Sequence, residues 1–196
     1  MAGFNRPIPL MTLNASPAPA LPLVSEPSRT APSTVAAATL TAPLAKDWIA
    51  AHIPHAGSMC LLDAVAAWDD VSIRCTATSH LDAHNPLRAD GRLAAICGVE
   101  YAAQAMAVHG AALASADPHA NPPPRAGFLA SLRDLEVNVA RLDTLGGPLE
   151  IEAERLGGDS NNVLYRFTLH CGGELLMTGR AAVILDADAG EPAHRP

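Results

Sequence analysis

The sequence has few aromatic residues, no run of basic residues and no cysteine pair of the C-x-x-C type. Aromatic residues make up 4% of the 196 residues and hydrophobic residues 49%, so alanine must fill much of the interior. This composition favours closely packed elements over a wide apolar pocket. The net charge of −7 and the scattered Lys and Arg residues argue against nucleic-acid binding, because neutralising phosphates needs clustered basic side chains.

Two further absences concern compartment and membrane. The four cysteines, each within an apolar run, predict buried free thiols in a reducing cytosol: Cys60, Cys75, Cys97 and Cys171. No uninterrupted apolar stretch reaches the ~18 residues that a membrane helix needs. We therefore expect a cytoplasmic protein with no membrane span.

Residues 1–44 differ from the rest of the chain in composition. Eight of the seventeen prolines lie here, and Ala, Ser and Thr fill most other positions. Proline at this frequency blocks helices and sheet ladders alike, so we expect a disordered leader. Proline also interrupts every window that could form the apolar core of a secretory signal. The folded domain is predicted at 45–186, followed by a frayed tail at 187–196.

Apolar patterning divides the folded part into strands and one long helix. A short helix is expected at 47–51, and the long helix from about Leu93 to Ser115. Six strands are expected, the last two joined at Gly172-Gly173: 59–68, 71–77, 128–139, 149–154, 163–171 and 175–185. An apolar helix flanked in sequence by antiparallel strands must be covered by their sheet. We predict an α+β domain whose curved antiparallel sheet wraps a central helix.

One carboxylate stands out in the long helix. Glu100 is the only acidic side chain between Leu93 and Ser115, and its neighbours one turn away are mainly apolar. Such surroundings remove solvation from a carboxyl and favour its neutral acid form. His84 lies in the loop ahead of the helix, so the two residues are predicted to act as a general acid–base pair.

Other polar residues receive simpler interpretations. His84 and His80 could suggest a metal pair, but Asp82 is the only candidate third ligand, so no metal site is predicted. His55 is predicted to have a structural or loop-orienting role. Gln104 and His109, within the long helix, are predicted to make polar contacts with strand backbone.

Three segments together resemble the hotdog-fold β-hydroxyacyl-acyl carrier protein dehydratases. They are the opening segment Ile53-Pro54-His55 to Val65, the loop His84-Asn85-Pro86, and the helix segment Glu100-Tyr101-Ala102-Ala103-Gln104. Residues 80–106 are most similar to the branch found in aryl-polyene and related polyketide-like lipid pathways. The resemblance covers about 46–185. The loop departs from the family pattern, with Asn85 for the common Phe, Leu87 for Gly, and Ala94-Ala95 for Pro-Gly.

The resemblance implies that the protein is a lyase. It would convert 3-hydroxyacyl thioesters on acyl carrier protein to trans-2-enoyl thioesters, in fatty-acid-like or aryl-polyene lipid biosynthesis. His84 would be the base and Glu100 the acid. No cofactor is expected beyond the phosphopantetheine arm that carries the substrate.

Two groups of residues are predicted to bind this substrate. Backbone N–H groups of Ala95, Ile96 and Cys97, at the start of the helix, are expected to be unpaired and to hold the thioester oxygen. Arg88 and Arg92 are expected to contact the phosphate of the arm or an acidic helix of the carrier. The alternative for the arginines is that they are solvated surface charges.

The resemblance also implies a dimer, either a homodimer or a heterodimer with a second hotdog subunit. In the family, each tunnel takes its histidine from one protomer and its acid from the other. The departures in the loop keep a second hypothesis open, a non-catalytic subunit that completes a partner dehydratase. A third is a hotdog acyl thioesterase, whose acidic residue activates water and needs no histidine ahead of the helix.

Overall fold

The computed structural model describes residues 42–116, 127–159 and 161–185. The predicted leader lies outside the described residues except for positions 42–44, and the predicted tail lies outside them entirely. The boundaries of these two segments therefore stay predictions.

Two α-helices lie in the described part of the chain. Helix α1 is Lys46–His52, and Ile53, which follows it, is extended because Pro54 disfavours helical geometry before it. Helix α2 is Gly98–Ala116, so it begins five residues later than the predicted start at Leu93. The residues ahead of α2 form a 3₁₀ turn, Ala95–Cys97, because Ala94 pairs with Arg141 in an isolated β-bridge and cannot join the helix.

The strands form one antiparallel sheet. Its order is β1-β2-β3-β5-β6-β7-β4. The strands are β1 Leu44–Ala45, β2 Ala64–Trp68, β3 Ser72–Ala77, β4 Gly127–Val137, β5 Leu149–Gly158, β6 Asn162–Cys171 and β7 Glu174–Leu185. This confirms the predicted α+β class with a long helix and an antiparallel sheet. The strand predicted to begin at residue 59 starts instead at Ala64, because Gly57–Met59 is a 3₁₀ turn.

The hairpin between β6 and β7 is the one that the sequence predicts. Gly172 and Gly173 have φ values of 58° and 82°, which two-residue turns of type I′ require and which glycine adopts without strain. Cys171 pairs with Glu174 across this turn. The ladder shifts register between Leu169 and His170, and beyond this shift Tyr165, Phe167 and Leu169 all face the core.

Two histidines are buried in the core, where their protonation is linked to the stability of the fold. His109 on α2 is fully buried, and its Nε2 and Nδ1 lie 2.8 Å from the Asp69 carbonyl and 3.1 Å from the Tyr165 hydroxyl. The carbonyl can only accept, so Nε2–H donates to it and Nδ1 accepts from the hydroxyl. His80 is also fully buried. The Gly147 peptide lies close to its ring, but neither ring nitrogen has hydrogen-bond geometry with any group of the residues that the structure describes. Burial lowers the pKa of both imidazoles.

We expect the protein to lose stability as the pH falls from about 7.5 to about 5.5. An unfolded histidine takes up a proton near pH 6.5, whereas burial lowers the pKa of His80 and His109 in the folded state. The unfolded state therefore binds more protons in this window, and the free energy of unfolding decreases on acidification. Urea unfolding at three pH values should show this, with a shallower pH dependence in His80→Leu. The same dependence of the unfolding free energy on pH in the wild type and in His80→Leu would contradict this prediction.

Candidate functional site

A histidine and a carboxylate meet where the first turn of α2 faces the segment after α1. The Nε2 atom of His55 lies 3.1 Å from Oε1 of Glu100. The two side chains keep 27% and 32% of their surface exposed, so the pair is half-buried and open on one side. The two groups are within ion-pair distance of each other, at a position that solvent or a substrate can reach.

Gln104, one turn after Glu100, holds this corner together. Its Nε2 donates to the Met59 carbonyl at 2.8 Å and to Glu100 Oε1 at 3.0 Å. Its Oε1 accepts from the Leu61 backbone N–H at 2.9 Å. Every polar atom of this buried amide has a partner, so Gln104 fixes both the segment at 59–61 and the Glu100 carboxyl. Gln104 contacts backbone as predicted, but that backbone is the 3₁₀ turn and the stretch after it rather than a strand. Its bond to Glu100 was not predicted.

The surroundings of Glu100 differ from the expected dry pocket. The side chain is one-third exposed. It accepts a hydrogen bond from Gln104 and lies within ion-pair distance of His55, because the helix places it beside these two residues rather than among apolar side chains only. His55 is the functional candidate that sequence reasoning missed. His55 lies in the segment that resembles the first motif of the family, which was the one indication of a role. Its contact with Glu100 joins residues 45 positions apart, and no sequence spacing predicts such a contact.

The structure does not bring His84 to Glu100 within this chain. The His84 side chain is 95% exposed, and its Nδ1 lies 3.4 Å from Oδ1 of Asp82. The same Asp82 oxygen accepts the backbone N–H of His84 at 2.8 Å, as in a short polar turn. The predicted pairing with an acid therefore stays a prediction that requires a second subunit.

Comparison with known proteins now identifies the family. The model of the ApeP-like family, described as ApeP dehydratase, matches residues 48–192. The chain belongs to the ApeP-like dehydratase family. Membership supports a dehydratase, hence a lyase, over a thioesterase. No curated protein matches the chain.

Solved structures agree with the fold of this ApeP-like dehydratase. A chain of the dehydratase heterocomplex ApeI:P from Xenorhabdus doucetiae is 24% identical with a TM-score of 0.62, covering 73% of this chain and 91% of that chain. A mutant of thioesterase PA1618 from Pseudomonas aeruginosa is 13% identical with a TM-score of 0.45, covering 63% and 80%. The predicted hotdog fold is confirmed. Among the described residues, no helix is long and apolar enough to cross a membrane.

In this ApeP-like dehydratase, Arg88 anchors a loop. Its guanidinium donates to the carbonyls of Asp82 at 2.8 Å and Gly91 at 2.9 Å, and to Asp143 at 3.0 Å. The Arg141 guanidinium, 2.6 Å from the same carboxylate, holds the pKa of Asp143 well below its usual range. With a further bond from Arg88 Nη2 to the His80 carbonyl at 3.2 Å, these contacts hold Arg88 in the loop and leave few donors for the predicted phosphate contact, which stays a prediction. Arg92 is exposed, in keeping with either of its predicted roles.

The backbone ahead of α2 also differs from the prediction. The Ala95 N–H donates to the Ala140 carbonyl at 3.1 Å, and the Cys97 N–H donates to the Ala94 carbonyl at 3.0 Å. Two of the three N–H groups predicted to hold the thioester oxygen are thus paired, because this stretch is a 3₁₀ turn docked on residue 140. The Ile96 side chain is exposed, and its N–H stays the predicted donor.

Proposed function

We propose that this dehydratase removes water from 3-hydroxyacyl thioesters carried on acyl carrier protein, giving trans-2-enoyl thioesters, with His55 and Glu100 as its acid–base pair. The observation that carries the proposal is the 3.1 Å contact between His55 Nε2 and Glu100 Oε1. Membership of the ApeP-like dehydratase family supports the reaction type. The resemblance to the aryl-polyene branch supports the pathway.

The proposed proton balance suits a pair in direct contact. The neutral imidazole of His55 takes the proton from Cα of the substrate, and the Glu100 carboxyl gives a proton to the departing Cβ hydroxyl, which leaves as water. The pair is left as imidazolium and carboxylate. A proton then returns from His55 to Glu100 along the 3.1 Å contact, which restores both groups. Neither transfer needs a metal or a cofactor.

The substrate is proposed to arrive on the phosphopantetheine arm of the carrier in the cytoplasm. The exposed Arg92 beside the substrate loop is the proposed contact for the phosphate or for an acidic helix of the carrier. The four free cysteines are compatible with a reducing compartment. This assignment concerns the carrier and the compartment, and the acid–base pair does not depend on it.

A second hotdog subunit is the proposed partner. Strand β4 forms one edge of the sheet, and its exposed side chains include Phe128, Leu129 and Val137. An eleven-residue edge strand with exposed apolar side chains is a surface that another sheet can cover. The ApeI:P heterocomplex supports a partner of a different sequence, and a homodimer would use the same edge.

The exposed position of His84 favours a second candidate function. With 95% of its side chain exposed, His84 is free to reach an acid of another chain, as the sequence resemblance predicts. If that acid belongs to a different hotdog subunit, this chain would complete the site of a partner dehydratase and would show no turnover alone.

The test is mass spectrometry of a 3-hydroxyacyl carrier protein after incubation with the full-length protein, alone and with a second hotdog subunit. We expect loss of one water from the acyl group, and no detectable loss with Glu100→Gln, which keeps the shape of the side chain but cannot donate as an acid. Free acyl acid as the product would contradict the proposal in favour of a thioesterase. Turnover only with the partner and independent of Glu100 would favour the second candidate.

A further inference from the structure

A cleft of about 210 Å³ lies between α2 and strands of the sheet. Helix α2 lines one side with small residues that include Ala103, Ala107, Gly110 and Ala114. Strands β4 and β7 contribute Leu129 and Val183 to its walls. The cleft is therefore an apolar space between the helix and the edge of the sheet.

One end of the cleft is lined by neighbours of the proposed acid–base pair. Pro54, which precedes His55, and Ala103, one turn after Glu100, both line it. From Ala103 to Ala114 the cleft follows α2 for about 16 Å at 1.5 Å per residue. An extended chain that starts at the pair thus has an apolar path leading away from it.

The space exists because α2 packs on the sheet with one face, which includes the fully buried Val108, His109 and Ala112, and turns another face to the cleft. At Gly98, a Cβ atom would lie 2.7 Å from Leu169 Cδ2, so the helix packs directly on β6 at its start. At Gly110, a Cβ atom would meet nothing within 4 Å. After Glu100 the helix carries no Asp, Glu, Lys or Arg. A helix face meant for water normally carries charged residues, so this face is built to be covered by something apolar.

Resting on the function proposed above, we infer that Gly110 sets the length of acyl chain that the enzyme accepts. The chain lies in the cleft along α2, and Gly110 keeps the cleft open about 15 Å beyond Glu100. Helix side chains lean toward the N-terminus, so a larger residue at 110 would project back along the cleft toward the pair. Long chains would then be excluded while short chains, held near Glu100, would still bind.

The experiment measures the affinity of saturated acyl-pantetheine thioesters, from butanoyl through octanoyl and dodecanoyl to tetradecanoyl, for the full-length protein and three variants. Gly110→Leu fills the cleft, and Gly110→Ala adds one methyl group to open space. Ser115→Leu places the same bulk at an exposed position that does not line the cleft. Leucine and alanine both favour helix over glycine, so folding is not endangered at position 110.

In the wild type, affinity should rise about fourfold for each buried methylene. Gly110→Leu should bind butanoyl thioester as the wild type does, yet bind the tetradecanoyl thioester at least about tenfold more weakly. Gly110→Ala and Ser115→Leu should follow the wild type. Parallel affinity series for Gly110→Leu and the wild type would overturn the inference. So would a change of oligomeric state in Gly110→Leu without a change in chain-length preference, because a second subunit would then be what covers this face.

Failure of this inference can be told apart from failure of the proposed function. Binding of saturated thioesters needs no chemistry, so the series reports on the cleft even if the pair does not catalyse dehydration. If the protein is active but Gly110→Leu binds thioesters of all chain lengths as the wild type does, only the inference about Gly110 is contradicted. If the protein has no dehydratase activity but Gly110→Leu still binds long-chain thioesters more weakly, only the proposed reaction is contradicted.

Discussion

Replacing His55 with alanine is expected to lower the rate of dehydration by about 10²- to 10⁴-fold, the contribution typical of a positioned acid or base. His55 Nε2 lies 3.1 Å from the carboxyl that it would recharge after each turnover. In the proposed mechanism the imidazole takes the Cα proton and returns a proton to Glu100, so its removal would impair both steps. The rate of enoyl thioester formation under saturating substrate measures the effect.

His84→Ala provides the matched control, because it removes the same ring from a fully solvated position. We expect this variant to keep nearly all activity. A large loss in His84→Ala with full activity in His55→Ala would contradict the assignment and favour a site shared between subunits. Mixing His55→Ala chains with Glu100→Gln chains adds a second check. A pair within one chain cannot be restored by mixing, whereas a pair shared across a boundary can.

Phe167→Ala is expected to lower the free energy of unfolding by about 3–5 kcal/mol. Phe167 on β6 is fully buried and pairs across the sheet with Gly179 on β7. A Cβ atom at 179 would lie 2.8 Å from Cζ of the ring, so the ring fills the space that the glycine leaves. Removing it opens a cavity that neighbouring side chains fill only in part. Urea unfolding at one fixed protein concentration measures the loss.

A double-mutant cycle with Gly179→Ala tests the reason for this loss. In the wild type, the added methyl group meets the ring and should destabilise the protein through overpacking. In Phe167→Ala the ring is gone, so the same methyl group should cost little or partly refill the cavity. Additive effects of the two substitutions would show that the ring and position 179 are not coupled.

The elements with strong periodicity could be predicted from the sequence. Strand β6 alternates Val163, Tyr165, Phe167 and Leu169 toward the core, and the structure has it as expected. The start of α2 could not be predicted, because the β-bridge between Ala94 and Arg141 joins residues far apart in sequence. The apolar run at 93–97 has helical composition, and the tertiary contact overrides it.

In the site too, a feature within one helix could be predicted from the sequence, whereas a contact between residues far apart in sequence could not. Glu100 was recognisable as a lone acid in an apolar helix, because that pattern is contained in a few turns. Its partner was not, since His55 and His84 are both histidines in loops and sequence proximity favoured His84. Within this chain, the packing of the segment after α1 on the first turn of α2 brings His55 to the carboxyl, and the pairing of His84 with an acid of another chain stays a prediction.

The irregular edge of β4 affects how readily the isolated chain could aggregate. The ladder between β4 and β7 is irregular between Leu129 and Ser131 and again between Arg133 and Glu136, and Asp134 has a φ of 50°. Such kinks spoil the flat template that nascent or misfolded polypeptides would need for cross-β growth. The exposed apolar side chains of β4 are therefore less able to nucleate aggregation during synthesis.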